Sequence, residues 1–470
     1  MTGPKNDVAR SGRLGFPIAA AAIAFSLASG SASADPDTYW HLASGQWMLD
    51  HREILRADVF SSTIGGQPYA LGEWLGEVVL AGVFAIGSWP GLVLMRSLLV
   101  ALAAFVAARL SRRSGASVAA ASVILAVAFL ATRSRWTDRP ALFTFVLFPV
   151  ILDLLFSARA GSRRALLAIP AVLLLWANLH GGYVVGLGLI AAFALEAVLL
   201  RRPTARALVV VGLISLAATF IDPETFGLGG AAGHALAPPR FIREEAPPDV
   251  LEASGAVFAL LLAATLGVAL SRGAALIDVL LLGPLTWLAL SGQRHVAFFL
   301  IAALPFLGHG LTAPLGRGGD WVRRRIGRVY RPPRSTAALV VAGLVIAALA
   351  SAAVIPSRPD ERSYPAGAVP DLAAGSGVLL NEYDWGGFLI LRVPTRPVFI
   401  DGRLFPYLPT GVFAAYREAV GLGPGWRAAL DRYAVREVLL RPDRPLAVAL
   451  REDGWRVRSE DRTYVLLVRP

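Results

Sequence analysis

GEWLGEVVLAGVFAIGS, residues 72–88, is an apolar run interrupted by Glu73 and Glu77, and whether it crosses a membrane decides the arrangement of everything after it. A crossing helix needs about 20 apolar residues. Runs of that kind fill the chain up to residue 355, over 14–34, 90–108, 114–131, 141–157, 165–178, 182–200, 207–221, 252–270, 274–290, 296–312 and 336–355. If 72–88 lies outside, these spans alternate so that the arginine-rich loops share one face, as the positive-inside bias requires. Those loops carry Lys5, Arg10 and Arg13; Arg109, Arg112 and Arg113; Arg159, Arg163 and Arg164; Arg201, Arg202 and Arg206; Arg272; and the basic loop from Arg317 to Arg334. The only acids among them are Asp7 and Asp320. Counting 72–88 as a crossing inverts every later loop and puts the arginines outside. The charge pattern therefore predicts a polytopic α-helical membrane protein of about eleven spans, with the N-terminus cytoplasmic and the C-terminal residues outside.

Of the 470 residues 55% are hydrophobic and 17% charged, against about 25% charged in soluble domains, which excludes a water-soluble globule. The formal net charge is +12, but its place in short loops between apolar runs points to membrane lipid as the partner, not nucleic acid. The absence of cysteine excludes disulfides, thiolate metal sites and cysteine nucleophiles. The first span has a second reading as a cleaved signal peptide, because Ala32-Ser33-Ala34 matches the small-residue cleavage pattern. Under either reading the segment after Asp35 is outside. Residues 356–470 differ in kind, with strand-like runs at Val378–Leu380, Pro397–Ile400, Glu437–Leu440, Trp455–Arg458 and Tyr464–Val468, and helical stretches near 411–432 and 444–452. The expected division is a transmembrane domain over 1–355, with outer-loop helices at 35–89, and a small extracytoplasmic α/β domain over 356–470.

Polar residues are costly inside a bilayer, so their gathering in outer loops is informative. The sharpest group is Asp35-Pro-Asp37-Thr-Tyr-Trp40-His41. Its two carboxylates suit a divalent cation such as Mg or Mn, or one of them can act as general base. Asp-Pro-Asp before a helix also suits an N-cap, which accounts for Asp35 but not for the aromatics after it. Further outer groups are Glu73-Trp74, Arg133-Ser-Arg135-Trp136-Thr-Asp138-Arg139, Asn178-Leu-His180-Gly-Gly-Tyr183, Asp222-Pro-Glu224, Arg243-Glu244-Glu245 and Gln293-Arg294-His295. Arginine forks there suit phosphate, while snorkelling at a span end is the alternative for each. Asp153, Glu196 and Asp278 fall toward inner span ends, where pairing with loop arginines is expected.

The order Asp37-Thr-Tyr-Trp-His after the first span resembles the first outer loop of the GT-C superfamily of integral-membrane glycosyltransferases, above all the oligosaccharyltransferase catalytic subunit and its bacterial relatives. Arg133-Ser-Arg-Trp-Thr-Asp138 stands where that family has a second acidic motif, with one acid here instead of two. Trp176-Ala-Asn-Leu-His180-Gly-Gly-Tyr183 resembles a Gly-Gly-Tyr helix entry. Tyr383-Asp384-Trp385-Gly386-Gly387, followed by Arg396-Pro397-Val-Phe-Ile-Asp401-Gly-Arg403, looks like the Trp-Asp-Tyr-Gly region of the soluble domain, with altered aromatic order. The last two stretches also recur together in uncharacterised bacterial membrane proteins that look like GT-C enzymes.

The resemblance implies transfer of a sugar from a polyprenyl-phosphate-type donor to an envelope acceptor, outside the cytoplasm, at a bacterial inner membrane. Asp37 is the catalytic candidate, with His41 in support and Asp35 as the alternative. Arg139, Arg294, His295 and Arg135 are the candidates for donor phosphate. Glu73, Trp74, His180, Asp384, Trp385 and Asp401 are expected to line the cavity or face the acceptor, and Asp37 with Asp138 would hold any metal. Asp384 and Asp401 have a structural alternative as turn caps beside glycines. Two rival functions are a flippase for lipid-linked saccharide, which wants charges deep in the spans and an internal repeat, and a non-catalytic envelope scaffold.

Overall fold

Every stretch expected to span corresponds to a helix in the computed structural model, which describes residues 5–32, 35–69, 72–223, 243–326 and 334–470. Ser33 and Ala34 of the cleavage pattern, Glu224, and the side chains of Arg243 and of the basic loop 317–334 lie outside the described residues. The helices are α1 (Lys5–Ser29), α2 (Pro36–His51), α3 (Trp74–Arg113), α4 (Val118–Ala131), α5 (Ala141–Arg159) and α6 (Arg163–Leu179). They continue with α7 (Tyr183–Leu199), α8 (Ala205–Ala218), α9 (Ala253–Arg272), α10 (Leu276–Ser291), α11 (Val296–Ile326) and α12 (Arg334–Ala352). Among the described residues four stretches, Trp74–Arg113, Ala141–Arg159, Ala253–Arg272 and Gln293–Gly316, are long and apolar enough to cross a membrane. Other apolar helices are shorter, so length and composition support four crossings, and the count of about eleven rests on the charge pattern.

The chain divides into two compact units. One comprises 1–31, 93–137 and 141–355; the other comprises 32–92, 138–140 and 356–470. The outer segment 32–92 and the tripeptide 138–140 group with the C-terminal residues.

In the first unit Phe148, Trp176, Phe193 and Phe299 are fully buried, and α3 contributes a small-residue face of Ala103, Ala104, Ala107 and Ala108 that permits close helix approach. Leu213, Leu260 and Leu270 remain exposed, as apolar side chains facing hydrocarbon can be. Two acids of this unit, Asp153 and Glu196, are paired with arginines. Asp153 takes Arg113 at 2.7 Å and Arg109 at 3.3 Å, and Glu196 takes Arg202 at 2.7 Å and Arg159 at 2.9 Å. Asp278 instead caps its own helix, accepting the Ala275 N–H at 3.0 Å. Arg96, buried within an apolar run, donates to the carbonyls of Ala28 and Ser31, which close the C-terminal end of α1.

Residues 74–88 are helical but do not continue straight into the apolar run at 90–108. Ser88 has φ 51° and ψ −147°, which breaks α3 just before Pro90. A serine at such a φ costs of order 1–3 kcal/mol. The division between the units also falls within α3, at Leu92/Val93.

The second unit is built on a four-stranded sheet, β1 (Val378–Asn381), β2 (Val435–Leu440), β3 (Arg456–Glu460) and β4 (Val465–Val468), in the order β1-β2-β4-β3. β1 runs parallel to β2, and the other pairs are antiparallel. Helices Val412–Val420, Trp426–Arg432 and Pro445–Glu452 cover one core, with Val412, Tyr416, Leu446 and Leu450 buried. Pro397–Ile400, expected as a strand, makes a single bridge between Val398 and Ser61. Proline at its start supplies no N–H to a ladder. The bonds Val398 N–H to Phe60 O (3.0 Å) and Ser62 N–H to Val398 O (2.8 Å) tie this stretch to the outer segment instead.

Candidate functional site

Asp35, at φ −62° and ψ 125°, is the N-cap of α2, and its Oδ1 accepts the Asp37 N–H at 3.0 Å. Pro36 at the first helical position needs no N–H partner, so the helix starts there and places Asp37 in its first turn, where the helix end favours a carboxylate. Thr38 to Ser44 are buried behind it, whereas the Asp37 side chain keeps 29% of its surface open. Its oxygens have different partners. Oδ1 accepts from Trp40 Nε1 at 3.1 Å, and Oδ2 accepts from Arg139 Nη1 at 2.7 Å. Arg139 Nε also lies 3.6 Å from Asp35 Oδ2, so one guanidinium serves both carboxylates.

Close approach of a second segment needs glycine. A Cβ at Gly402 would fall 2.5 Å from Asp37 Oδ1, and one at Gly387 would fall 2.6 Å from the Pro36 carbonyl oxygen. The Tyr383 hydroxyl donates to the Gly402 carbonyl at 3.1 Å. Burial, with Asp37 and Asp401 adding to it, holds that phenol well above its ordinary range, so it is a neutral donor. The Glu73 carboxyl is pushed up to about 8 by burial, with Asp37 reinforcing the shift and Arg139 opposing it. At neutral pH Glu73 is therefore largely protonated.

The structure thus brings Asp35, Asp37, Arg139 and Glu73 into one electrostatic group. His41 has other partners: its Nδ1 is 2.9 Å from Glu77 Oε1, both side chains are buried, and its ring lies tilted against Trp40 at 3.5 Å between centroids. Trp74 packs against the small core of Met48, Leu55 and Tyr69. Asp384 is exposed, with Arg441 Nη2 at 3.4 Å, while Trp385 is buried and donates to the Ser363 carbonyl at 3.0 Å. Asp401 is fully buried, accepting from Arg403 and, at 2.6 Å, from the Tyr407 hydroxyl. Arg403 also meets Asp58 at 2.7 Å, so Asp401 here serves a buried charge cluster.

The remaining candidates belong to the first unit. Arg294 is ion-paired with Glu245, and its Nε donates to His295 Nε2 at 3.1 Å. His295 is buried, and its Nδ1 is 3.1 Å from the Leu288 carbonyl oxygen. With Nε2 accepting, that contact fixes the tautomer protonated at Nδ1. Arg135 lies 3.1 Å from Glu244 and lines a small open cleft with Thr132, Ser134, Ser254 and Gln293. His180 Nδ1 accepts the Gly182 N–H at 2.9 Å and is 2.8 Å from Thr144 Oγ1, which in turn accepts from Trp176 Nε1 at 2.7 Å. This network joins α5, α6 and α7.

No protein-family model matches the chain, and neither does any curated protein. Solved structures do. Oligosaccharyltransferase AglB from Archaeoglobus fulgidus, in complex with an inhibitory peptide and a dolichol-phosphate, superposes with a TM-score of 0.62 at 11% identity, covering 90% of this chain and 69% of that one. ArnT from Cupriavidus metallidurans, bound to undecaprenyl phosphate, gives 0.55 at 12% identity, covering 96% and 97%. This chain has the GT-C fold.

The GT-C likeness raises the question of a divalent cation at Asp37 and Asp138. The donor set does not fit one. Both Asp37 oxygens face hydrogen-bond donors, one of them a guanidinium. Like charges about 4 Å apart repel by about 4 kcal/mol per unit pair near a protein surface, so a dication against Arg139 is strongly disfavoured. Among the described residues no group of three or more His, Asp or Glu is placed to hold a metal. Sequence reasoning passed over Trp40 as the partner of Asp37, Gly402 as the residue that admits its carboxylate, and Asp58 as a partner of Arg403. Gly402 was legible from its place between Asp401 and Arg403; nothing local marked Asp58.

Proposed function

We propose that this GT-C chain is a glycosyltransferase that moves a sugar from a polyprenyl-phosphate-type lipid donor to an envelope acceptor, on the extracytoplasmic side of a bacterial inner membrane. The observation that carries this is Asp37: a carboxylate at a helix N-terminus, held at both oxygens and still open on one side. Asp37 takes the proton from the acceptor hydroxyl as that oxygen attacks the anomeric carbon. The bond from that carbon to the phosphate oxygen breaks, and the phosphate leaves with the electron pair. Arg139 beside Asp37 supplies positive charge for the departing phosphate. Exposed Asp384 beside Tyr383 offers an acceptor-facing surface in this proposal.

Two fold neighbours were solved with polyprenyl-type phosphates, which supports the donor class. Purified full-length protein titrated with undecaprenyl phosphate tests it. Saturable binding, weakened about tenfold or more by Arg139→Ala through loss of a charge-assisted contact, is expected. Absence of binding in the wild type contradicts the donor assignment.

A further inference from the structure

The arrangement at the start of α2 looks like a cation site that already holds its cation. Asp35 and Asp37 converge on one point, and the group at that point is the Arg139 guanidinium, 2.7 Å from Asp37 Oδ2 and 3.6 Å from Asp35 Oδ2. Its side chain is 12% exposed. It comes from the tripeptide 138–140, between buried Asp138 and Pro140, which belongs to the same compact unit as α2. We propose that Arg139 occupies the place of a divalent cation between Asp35 and Asp37, so that the positive charge at this carboxylate pair is carried by the chain itself.

Three observations converge on this. The planar fork of arginine matches two carboxylates at once, which a hydrated ammonium does less well. The Trp40 indole already fills the Asp37 oxygen that Arg139 leaves, so both oxygens of that carboxylate are engaged by protein donors. Burial keeps the nearby Glu73 carboxyl protonated at neutral pH, which leaves two carboxylates against one fixed cation.

The inference rests on Asp37 being the reacting carboxylate, but its test reads the cation position alone. The probe is Mn²⁺, added to metal-free full-length protein and followed by electron paramagnetic resonance. Wild type is expected to bind no Mn²⁺ at this site below millimolar concentration. Arg139→Gln is expected to gain one site, at least about tenfold tighter, because two carboxylates lose their counter-charge. That gain should vanish in Arg139→Gln with Asp37→Asn. Wild-type Mn²⁺ binding that Asp37→Asn removes would overturn the proposal, and so would failure of well-folded Arg139→Gln to gain a site. If Arg139→Gln does not fold, the comparison of wild type with Asp37→Asn still decides. A negative result here leaves the glycosyltransferase proposal standing, since that depends on transfer and not on which cation is present.

Discussion

The two oxygens of Asp37 are held by unlike donors, and that asymmetry decides what single changes should do. Trp40 fixes Oδ1 through a neutral N–H, and Arg139 fixes Oδ2 through a charged one. Gly402→Ala adds a methyl 2.5 Å from Oδ1, so the carboxylate must move. A displacement of about 1 Å commonly costs ~10²-fold in rate. Gly402→Ala is therefore expected to cut transfer about a hundredfold while chain abundance on a membrane blot stays unchanged. Glu73 gives a second residue-level test, in pH. Its carboxyl rises from 4.5 to about 8 on folding, so between those values the folded protein holds a proton that the unfolded chain has released. This contribution to stability is present at low pH and is lost as pH rises through about 8. The melting temperature should fall between pH 5 and 8.5 in the wild type, and Glu73→Gln should flatten that slope.

At the scale of elements, helix α2 is pinned by its own residues to the start of α3. Gly45 admits the Glu77 backbone against α2, and the buried contact between His41 and Glu77 bonds the two helices. Glu77→Ala leaves His41 buried without that partner, at a cost of about 1–3 kcal/mol. Replacing both, as His41→Phe with Glu77→Leu, should recover part of the loss in thermal unfolding. An equal or greater loss in the double variant contradicts the pairing. The direction of His41 was not legible in the sequence: a four-residue step puts it on the same helix face as Asp37, and it is the packing of α3 against α2 that gives its ring Glu77 as partner. The presence of α2 was legible, since Asp35-Pro36 announces its start and the apolar residues after it supply its buried face. Asp58 meeting Arg403 was not, because hundreds of residues separate them and each has ordinary local roles.

For the molecule as a whole, the apolar runs and their arginine-rich loops made the membrane architecture readable, since hydrocarbon leaves few choices to a backbone. Ser88 was beyond such reading, because an apolar run gives no sign of where its helix breaks. The same charge pattern makes a topological prediction. A periplasm-dependent reporter fused after Pro470 should be active, and fusions at Ala160 or Pro203 should be silent. The reverse pattern would place residues 72–88 across the membrane. The decisive measurement lets the cell name the acceptor. Envelope glycans and glycolipids are compared by mass spectrometry in a strain lacking this gene, rescued with wild type or with Asp37→Asn at matched abundance. A sugar-bearing species that disappears on deletion and returns only with wild type is the predicted result. Equal restoration by Asp37→Asn would contradict Asp37 as the base, and with it the proposed transfer chemistry.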